Sequence, residues 1–119
     1  MKQTLVIGAS LNPSRYSNLA IHRLVQNNIE VKAIGLREGV VTDITIVTDK
    51  INFKDIHTIT LYLNAKRQVD YYDYIISLQP KRVIFNPGTE NPELYKILDE
   101  NKIHYEQACT LVLLGTNQY

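Results

Sequence analysis

Short, β-branched apolar runs alternate with stretches of helical periodicity along this sequence, and this alternation limits the possible folds most strongly. The strand-like runs occupy residues 4–7, 31–34, 44–47, 57–63, 82–85 and 104–106. Strands that alternate with helices are typical of βαβ units, which form a parallel sheet with helices on both faces. The sequence therefore predicts an α/β fold, a three-layer Rossmann-like arrangement around a mostly parallel sheet of five to six strands.

Helical patterns fill most of the gaps between these runs. One begins near Leu19 and ends at Asn27-Asn28, and a second lies around residues 69–76 and ends before Pro80. A third has Asn91 as its N-cap and Pro92 at its first position, which are typical residues for those places. We expect the run 57–63 to be a central strand and the weaker run 44–47 to be a short edge strand. The pattern does not decide the conformation of residues 108–115.

Length, charge and cysteine content set outer limits on function. The 119 residues fit one domain, 1–119, and no apolar run is long enough to span a bilayer. A single cysteine cannot form an internal disulfide, and no secretion signal precedes the first strand, so we expect a soluble cytoplasmic protein. The net charge of +1 is spread along the chain, which argues against nucleic acid or membrane partners but allows a local phosphate site.

Glycine and asparagine cluster where the predicted strands end. The strand ends carry Gly8-Ala9-Ser10, Gly35-Leu36-Arg37, Leu63-Asn64, Asn86-Pro87-Gly88-Thr89 and Ala108-Cys109. In an open parallel sheet the ligand crevice lies outside these carboxyl ends. The first loop leads into a helix and contains Ser10, Ser14, Ser17 and Arg15. Helix amides, hydroxyls and a guanidinium suit a phosphate, so this loop is predicted to hold a pyrophosphate.

The usual dinucleotide fingerprint is absent. It requires Gly-x-Gly-x-x-Gly and an acidic residue at the end of the second strand. In this chain the second and third glycines of the motif are absent after Gly8. The second strand ends in Ile34-Gly35-Leu36, without an acidic residue. NAD is therefore disfavoured, whereas Arg37 suits a ligand with a phosphate on its ribose, either NADP or coenzyme A (CoA).

Three segments, LVIGASLNPSRYSNLA, RVIFNPGTENPEL and ACTLVLL, resemble the small stand-alone CoA-binding proteins. Their fold is similar to the N-terminal domain of the succinyl-CoA synthetase α subunit. The resemblance covers nearly the whole chain, and its most specific element is the order and separation of the first two motifs. It implies a protein that binds CoA or an acyl-CoA. The ligase family's phosphorylated histidine has no match in this chain, so ligase activity is not implied.

The resemblance also implies roles for individual residues. The pyrophosphate loop would comprise Gly8, Ala9, Ser10, Asn12, Pro13, Arg15, Tyr16 and Ser17. Gly35 and Arg37 would lie near the adenosine, Leu63 and Asn64 along its flank, and Asn86, Pro87 and Gly88 near the pantetheine. The chain departs from the family at the second strand end, where Val-Asn-Pro is common, so the adenine contacts are the least defined.

The remaining reactive side chains do not form a recognisable catalytic set. Cys109 is interpreted as a small core residue, with a mixed disulfide to the coenzyme as the alternative, and the three histidines lack the spacing of a metal site. Tyr71, Tyr72 and Tyr74 surround one helix and suit either a homodimer contact or a cover for the sheet. We therefore expect non-catalytic CoA binding. The alternatives are an NADP-dependent enzyme and a ligand-free interaction module on the same fold.

Overall fold

A seven-stranded sheet with helices on both faces forms the body of the computed structural model, which describes residues 2–119. The strands are β1 (Thr4–Ala9), β2 (Val31–Gly35), β3 (Gly39–Val41), β4 (Ile44–Val47), β5 (Thr58–Leu61), β6 (Arg82–Phe85) and β7 (His104–Gln107). The helices are α1 (Tyr16–Gln26), α2 (Ala65–Gln68), α3 (Tyr72–Leu78), α4 (Pro92–Glu100) and α5 (Thr110–Gly115), and a 3-10 turn, Val69–Tyr71, joins α2 to α3.

The strand order is β3-β4-β2-β1-β5-β6-β7, and every neighbouring pair is parallel except β3 and β4. From the central strand β1 the chain first builds outward through β2 and later returns to add β5 on the other side. The strand order therefore reverses at β1, and the crevice at such a point is where ligands bind in open α/β sheets. The predicted α/β Rossmann-like fold is confirmed, with seven strands instead of five to six.

One edge of the sheet differs from the prediction. The run 44–47 forms β4, but it is not the edge strand, because β3 pairs with it antiparallel outside. Strand β3 has only three residues and begins at Gly39, so it carries too little apolar pattern to be recognised. Within residues 108–115, left open by their pattern, Thr110–Gly115 form α5 and Cys109 is its N-cap residue.

The core consists of two apolar layers, one on each face of the sheet. Leu5 and Ile7 of β1 point into a layer with α3 and α4, whereas Val6 between them packs toward α1. Such a strand, buried on both faces, explains the continuous apolar run near the start of the chain. Within residues 2–119, no helix is long and apolar enough to cross a membrane.

Side-chain caps fix the helices that border the crevice. The Asn64 side chain accepts a hydrogen bond from Arg67 N at 3.0 Å and so begins α2. Asn91 accepts one from Leu94 N at 3.4 Å and begins α4, with Pro92 next, as the sequence predicts. Helix α3 ends at Gln79, whose φ of 48° is left-handed, directly before Pro80. The caps of Asn64 and Asn91 determine where the loops after β5 and β6 turn into helices.

Candidate functional site

A cleft of about 750 Å³ opens at the carboxyl ends of β1, β2, β5 and β6, beside the point where strand order reverses. Its wall comes from the segments that follow these four strands, with these residues: Gly8, Ala9, Ser10, Leu11, Asn12, Arg15, Tyr16, Ser17, Gly35, Leu36, Arg37, Tyr62, Leu63, Asn64, Arg67, Tyr71, Pro87, Gly88 and Thr89. The cleft therefore lies where the sequence places its ligand.

Two glycines allow the backbones on the floor of the cleft to approach closely. A Cβ on Gly8 would lie 2.9 Å from the carbonyl carbon of Tyr62, and the φ of Gly8 is +95°. A Cβ on Gly35 would lie 2.3 Å from the carbonyl oxygen of Ala9. Both distances are shorter than real Cβ contacts, so neither position accepts a side chain without movement of the main chain. Because neither residue has a side chain, the ends of β1 and β2 and the segment after β5 can lie this close to one another.

The loop between β1 and α1 is ordered by its own polar groups. Asn12 Oδ1 accepts hydrogen bonds from the backbone N of Ser14 at 3.0 Å and from its hydroxyl at 2.8 Å. Ser10 Oγ accepts one from Asn12 N, and Asn18 Nδ2 donates to the Ser10 carbonyl at 2.9 Å. The loop is therefore shaped before any ligand arrives, and the Ser10 hydroxyl keeps its hydrogen free to donate.

Helix α1 presents its N-terminus to this loop. Its N-cap residue is Arg15, whose side chain forms no cap hydrogen bond, and its first turn contains no acidic residue. The first amides of a helix lack partners within it and carry a partial positive charge. Tyr16 and Ser17, the first residues of α1, line the cleft. The helix end therefore adds donors and positive potential to the site.

The cleft is strongly cationic for a chain with a net charge of +1. Arg15, Arg37 and Arg67 line it, and no aspartate or glutamate does so. The only ion pair within residues 2–119 joins His104 and Glu106 on β7, so these three guanidinium groups have no protein counter-charge in the described chain. Such a wall favours an anion with several charges.

All the predicted site residues line the cleft except Pro13 and Asn86. Pro13 is exposed on the outside of the loop. Asn86 is only 2% exposed, because its side chain points between the sheet and α5. Its Nδ2 donates to Thr60 Oγ1 at 2.6 Å and to the Leu61 carbonyl at 2.9 Å, and its Oδ1 accepts from Thr110 N at 2.9 Å. These bonds use the amide within the fold rather than on the cleft wall.

Sequence reasoning did not include six wall residues in the site: Leu11, Leu36, Tyr62, Arg67, Tyr71 and Thr89. Leu36 is 70% exposed and directly follows the end of β2. An apolar residue directly after a strand is the sequence feature that indicates Leu36 as a site residue. Arg67 and Tyr71 lie one turn apart on the segment after β5, and only the fold shows that this segment borders the cleft. Burial raises the pKa of Tyr62 to about 12, so it remains a neutral phenol near neutral pH.

Cys109 and the tyrosine-rich segment occupy different surroundings. Cys109 is half-buried as the N-cap residue of α5 and does not line the cleft. The Tyr72 hydroxyl donates to Glu93 at 2.9 Å, and the Tyr74 hydroxyl donates to the Ile51 carbonyl at 2.6 Å. Of the three tyrosines, Tyr71 reaches the cleft wall. Within residues 2–119, no three histidine, cysteine or acidic side chains come together as a metal site.

Comparison with solved structures supports the fold over the whole chain. A crystal structure of an uncharacterised protein is 44% identical, with a TM-score of 0.97, and the match covers 100% of this chain and 98% of that one. A Thermus thermophilus protein is 18% identical, with a TM-score of 0.86 over 99% of this chain and 91% of that one. A conserved hypothetical protein from Pyrococcus furiosus is 21% identical, with a TM-score of 0.84 over 94% and 98% of the two chains.

A family model gives the remaining comparison, while no curated protein matches the chain. The model describes a CoA binding domain and matches residues 2–115, which include every element from β1 to α5 and the whole wall of the cleft. The match therefore spans nearly the full chain, as the resemblance of its three motifs implies. This chain belongs to the family of CoA binding domains.

Proposed function

We propose that this protein binds CoA or an acyl-CoA in the cleft, without catalysing a reaction on it. The observation that carries the proposal is the pair Arg15 and Arg37, which line the cleft beside the N-terminus of α1 without protein counter-charges. CoA has a pyrophosphate and a third phosphate on its ribose, so it supplies the multiply charged anion that this wall favours. Membership of the family supports the same ligand.

The geometry also supports a direction for the bound coenzyme. The pyrophosphate would lie on the β1–α1 loop, with helix amides and Arg15 as donors. In folds of this type the ribose lies beyond the end of the second strand, where an arginine accommodates a ribose phosphate. Arg37 occupies that place, and the exposed apolar side chains of Leu11 and Leu36 offer a surface for the adenine. The pantetheine would then extend toward the ends of β5 and β6.

The cleft offers little support for catalysis. Its described wall contains no histidine, cysteine, aspartate or glutamate, so its serine and threonine hydroxyls lack the neighbouring general base that acyl transfer commonly uses. The NADP-dependent enzyme remains the alternative to test, because Arg37 suits a ribose phosphate in either ligand.

Isothermal titration of the purified protein with CoA, NADP and NAD, at equal concentrations, tests the proposal. We expect saturable binding of CoA and no comparable heat from the other two ligands. Tighter binding of NADP than of CoA would reject the proposal in favour of a redox enzyme. The absence of binding by all three would leave the interaction module as the function to pursue.

Replacing Arg15 tests the phosphate loop directly. We expect Arg15→Ala to weaken CoA binding by about 1.5 to 3 kcal/mol, since a hydrogen bond to a charged group is worth that amount. This loss corresponds to a roughly ten- to 150-fold higher Kd in the titration. Arg23→Ala is the matched control, because Arg23 is also exposed but lies in the last turn of α1, away from the cleft. Equal affinity in the two variants would contradict the assignment of the loop.

A further inference from the structure

Arg67 holds a separate position among the three arginines of the cleft. Arg37 follows β2, Arg15 follows β1 and Arg67 follows β5, and these strands are neighbours in the order β2-β1-β5. Neighbouring strands are about 4.8 Å apart, so Arg37 and Arg67 start on opposite sides of the β1–α1 loop. The cations therefore form a row across the sheet edge rather than one cluster around the pyrophosphate.

Arg67, at one end of this row, has no phosphate of CoA to bind. With the ribose beyond β2 and the pyrophosphate on the β1–α1 loop, all three phosphates lie on the side of Arg37 and Arg15. From the pyrophosphate to the thiol, the pantetheine carries only amides and a hydroxyl, all neutral. Arg67 stands on that neutral half of the path, and no carboxylate of residues 2–119 pairs with it.

The segment that carries Arg67 is held firmly against the cleft. The backbone N of Arg67 donates to the Asn64 side chain at 3.0 Å. The buried side chain of Gln68 donates to the carbonyls of Leu63 and Thr89, both at 2.8 Å, so it ties this segment to the loops after β5 and β6. The other wall residues on this half, among them Tyr71, Gly88 and Thr89, are uncharged. The one carboxylate beside them, that of Glu90, accepts a hydrogen bond from Gly88 N at 3.1 Å and forms no ion pair with Arg67. Arg67 is therefore a cation on a fixed backbone that no protein carboxylate neutralises.

We infer that the natural ligand is an acyl-CoA whose acyl group carries a carboxylate, and that Arg67 binds this carboxylate. This inference rests on the proposed function, since it needs the coenzyme in the cleft. A guanidinium matches a carboxylate with two parallel hydrogen bonds, and it selects the charged acyl group over a neutral one of equal length. Arg67 would then be the residue that determines acyl specificity.

Matched pairs of acyl-CoA esters test the inference. Malonyl- and propionyl-CoA, succinyl- and butyryl-CoA, and glutaryl- and valeryl-CoA have equal numbers of acyl carbons and differ at the terminal carboxylate. We expect titration to show at least one pair in which the carboxylated ester binds about tenfold tighter or more. Arg67→Met, which keeps an unbranched apolar stem and removes the charge, should abolish that preference and leave the Kd of free CoA nearly unchanged.

Lys66→Met is the control variant, because Lys66 is an exposed cation on the same helix and does not line the cleft. It should retain the preference for the carboxylated ester. Equal binding within every pair by the wild type, or a preference that survives Arg67→Met, would overturn the inference. So would equal weakening of CoA and all esters in Arg67→Met, which would place Arg67 with the phosphates. If even free CoA fails to bind the wild type, the proposed function itself fails.

Discussion

Gly35 shows how a single residue holds the floor of the cleft together. An alanine there would place its Cβ 2.3 Å from the carbonyl oxygen of Ala9, and backbone cannot rotate away as a side chain can. We therefore expect Gly35→Ala to lower the free energy of unfolding by about 1 to 3 kcal/mol, the usual cost of forcing atoms into a packed site. Urea denaturation monitored by circular dichroism measures the loss.

Gly115→Ala is the matched control for this substitution. A Cβ at Gly115 meets no atom within 4 Å, and the residue ends α5 without a left-handed φ. Alanine there should be neutral or stabilise the protein by up to about 1 kcal/mol, because it restricts the unfolded chain. Similar losses in the two variants would show that the contact with Ala9 is not what limits position 35.

Position at a strand end explains most of the site that sequence alone predicts. Gly8, Gly35 and Asn64 follow apolar runs, and the parallel sheet brings such positions to one edge. Asn86 has the same sequence signature as Asn64, yet its side chain points into the space under α5. Which way a side chain points after a strand depends on the pleat and the packed helix, and a motif does not record either. Arg67 lies within α2 instead of directly after a strand, and only the fold shows that its segment borders the cleft.

At the level of elements, Asn86 joins three pieces of secondary structure. It follows β6, donates to the carbonyl of Leu61 in β5, and accepts from the first amide of α5 at Thr110. Truncation would leave the buried carbonyl and amide without partners, at about 1 to 3 kcal/mol each. We expect Asn86→Ala to reduce the free energy of unfolding by about 2 to 5 kcal/mol in urea denaturation.

An exposed asparagine provides the comparison for Asn86. Asn101 follows α4, and its side chain donates only to the Ile97 carbonyl, where water can replace it. Asn101→Ala should change the free energy of unfolding by less than about 0.5 kcal/mol. A small effect in both variants would indicate that α5 docks on the sheet without the help of Asn86.

The elements themselves were predicted in proportion to their length and pattern. The sequence predicts the strands with three or more apolar or β-branched residues, such as β1 and β6, and it also predicts α4 with its Asn91 cap. Strand β3 was missed because it has three residues and needs β4 as a partner to exist at all. Residues 110–115 are mostly apolar because α5 packs near α1 over the sheet, and such a short run fits a helix and a strand equally well.

In the whole molecule, the ligand cleft lies at the carboxyl ends of the strands, and a group of residues that affects stability lies at their amino ends. We call these the carboxyl edge and the opposite edge of the sheet. The cleft lies at the carboxyl edge, while the opposite edge holds a buried arginine, Arg82. Its Nε donates to Thr58 Oγ1 and its Nη1 to the Tyr119 carbonyl, both at 3.1 Å, and the Tyr119 ring lies 4.5 Å away. A change of pH that alters the charges at this opposite edge should therefore change the free energy of unfolding without changing the affinity for the ligand.

His57 makes that separation measurable through pH. Burial, together with the charges of Arg82, Lys2 and Lys81, lowers the pKa of His57 below its usual value of 6.5. Between the lowered pKa and 6.5, the unfolded chain binds a proton that the folded protein does not, so stability rises with pH through that window and falls on acidification. We expect His57→Gln to lose less free energy of unfolding between pH 7 and pH 5 than the wild type does.

The same variant should bind CoA with wild-type affinity at pH 7.5, where His57 is already neutral and lies at the far end of β5 from the cleft. Its lost hydrogen bond to Thr58 shifts the free energy of unfolding at every pH, so the comparison uses the slope and not the value. Urea denaturation at several pH values, with a CoA titration of each protein at pH 7.5, gives both quantities. If the free energy of unfolding has the same pH slope in the variant and the wild type, His57 does not cause the pH dependence. If the variant binds CoA more weakly, the two edges of the sheet are coupled.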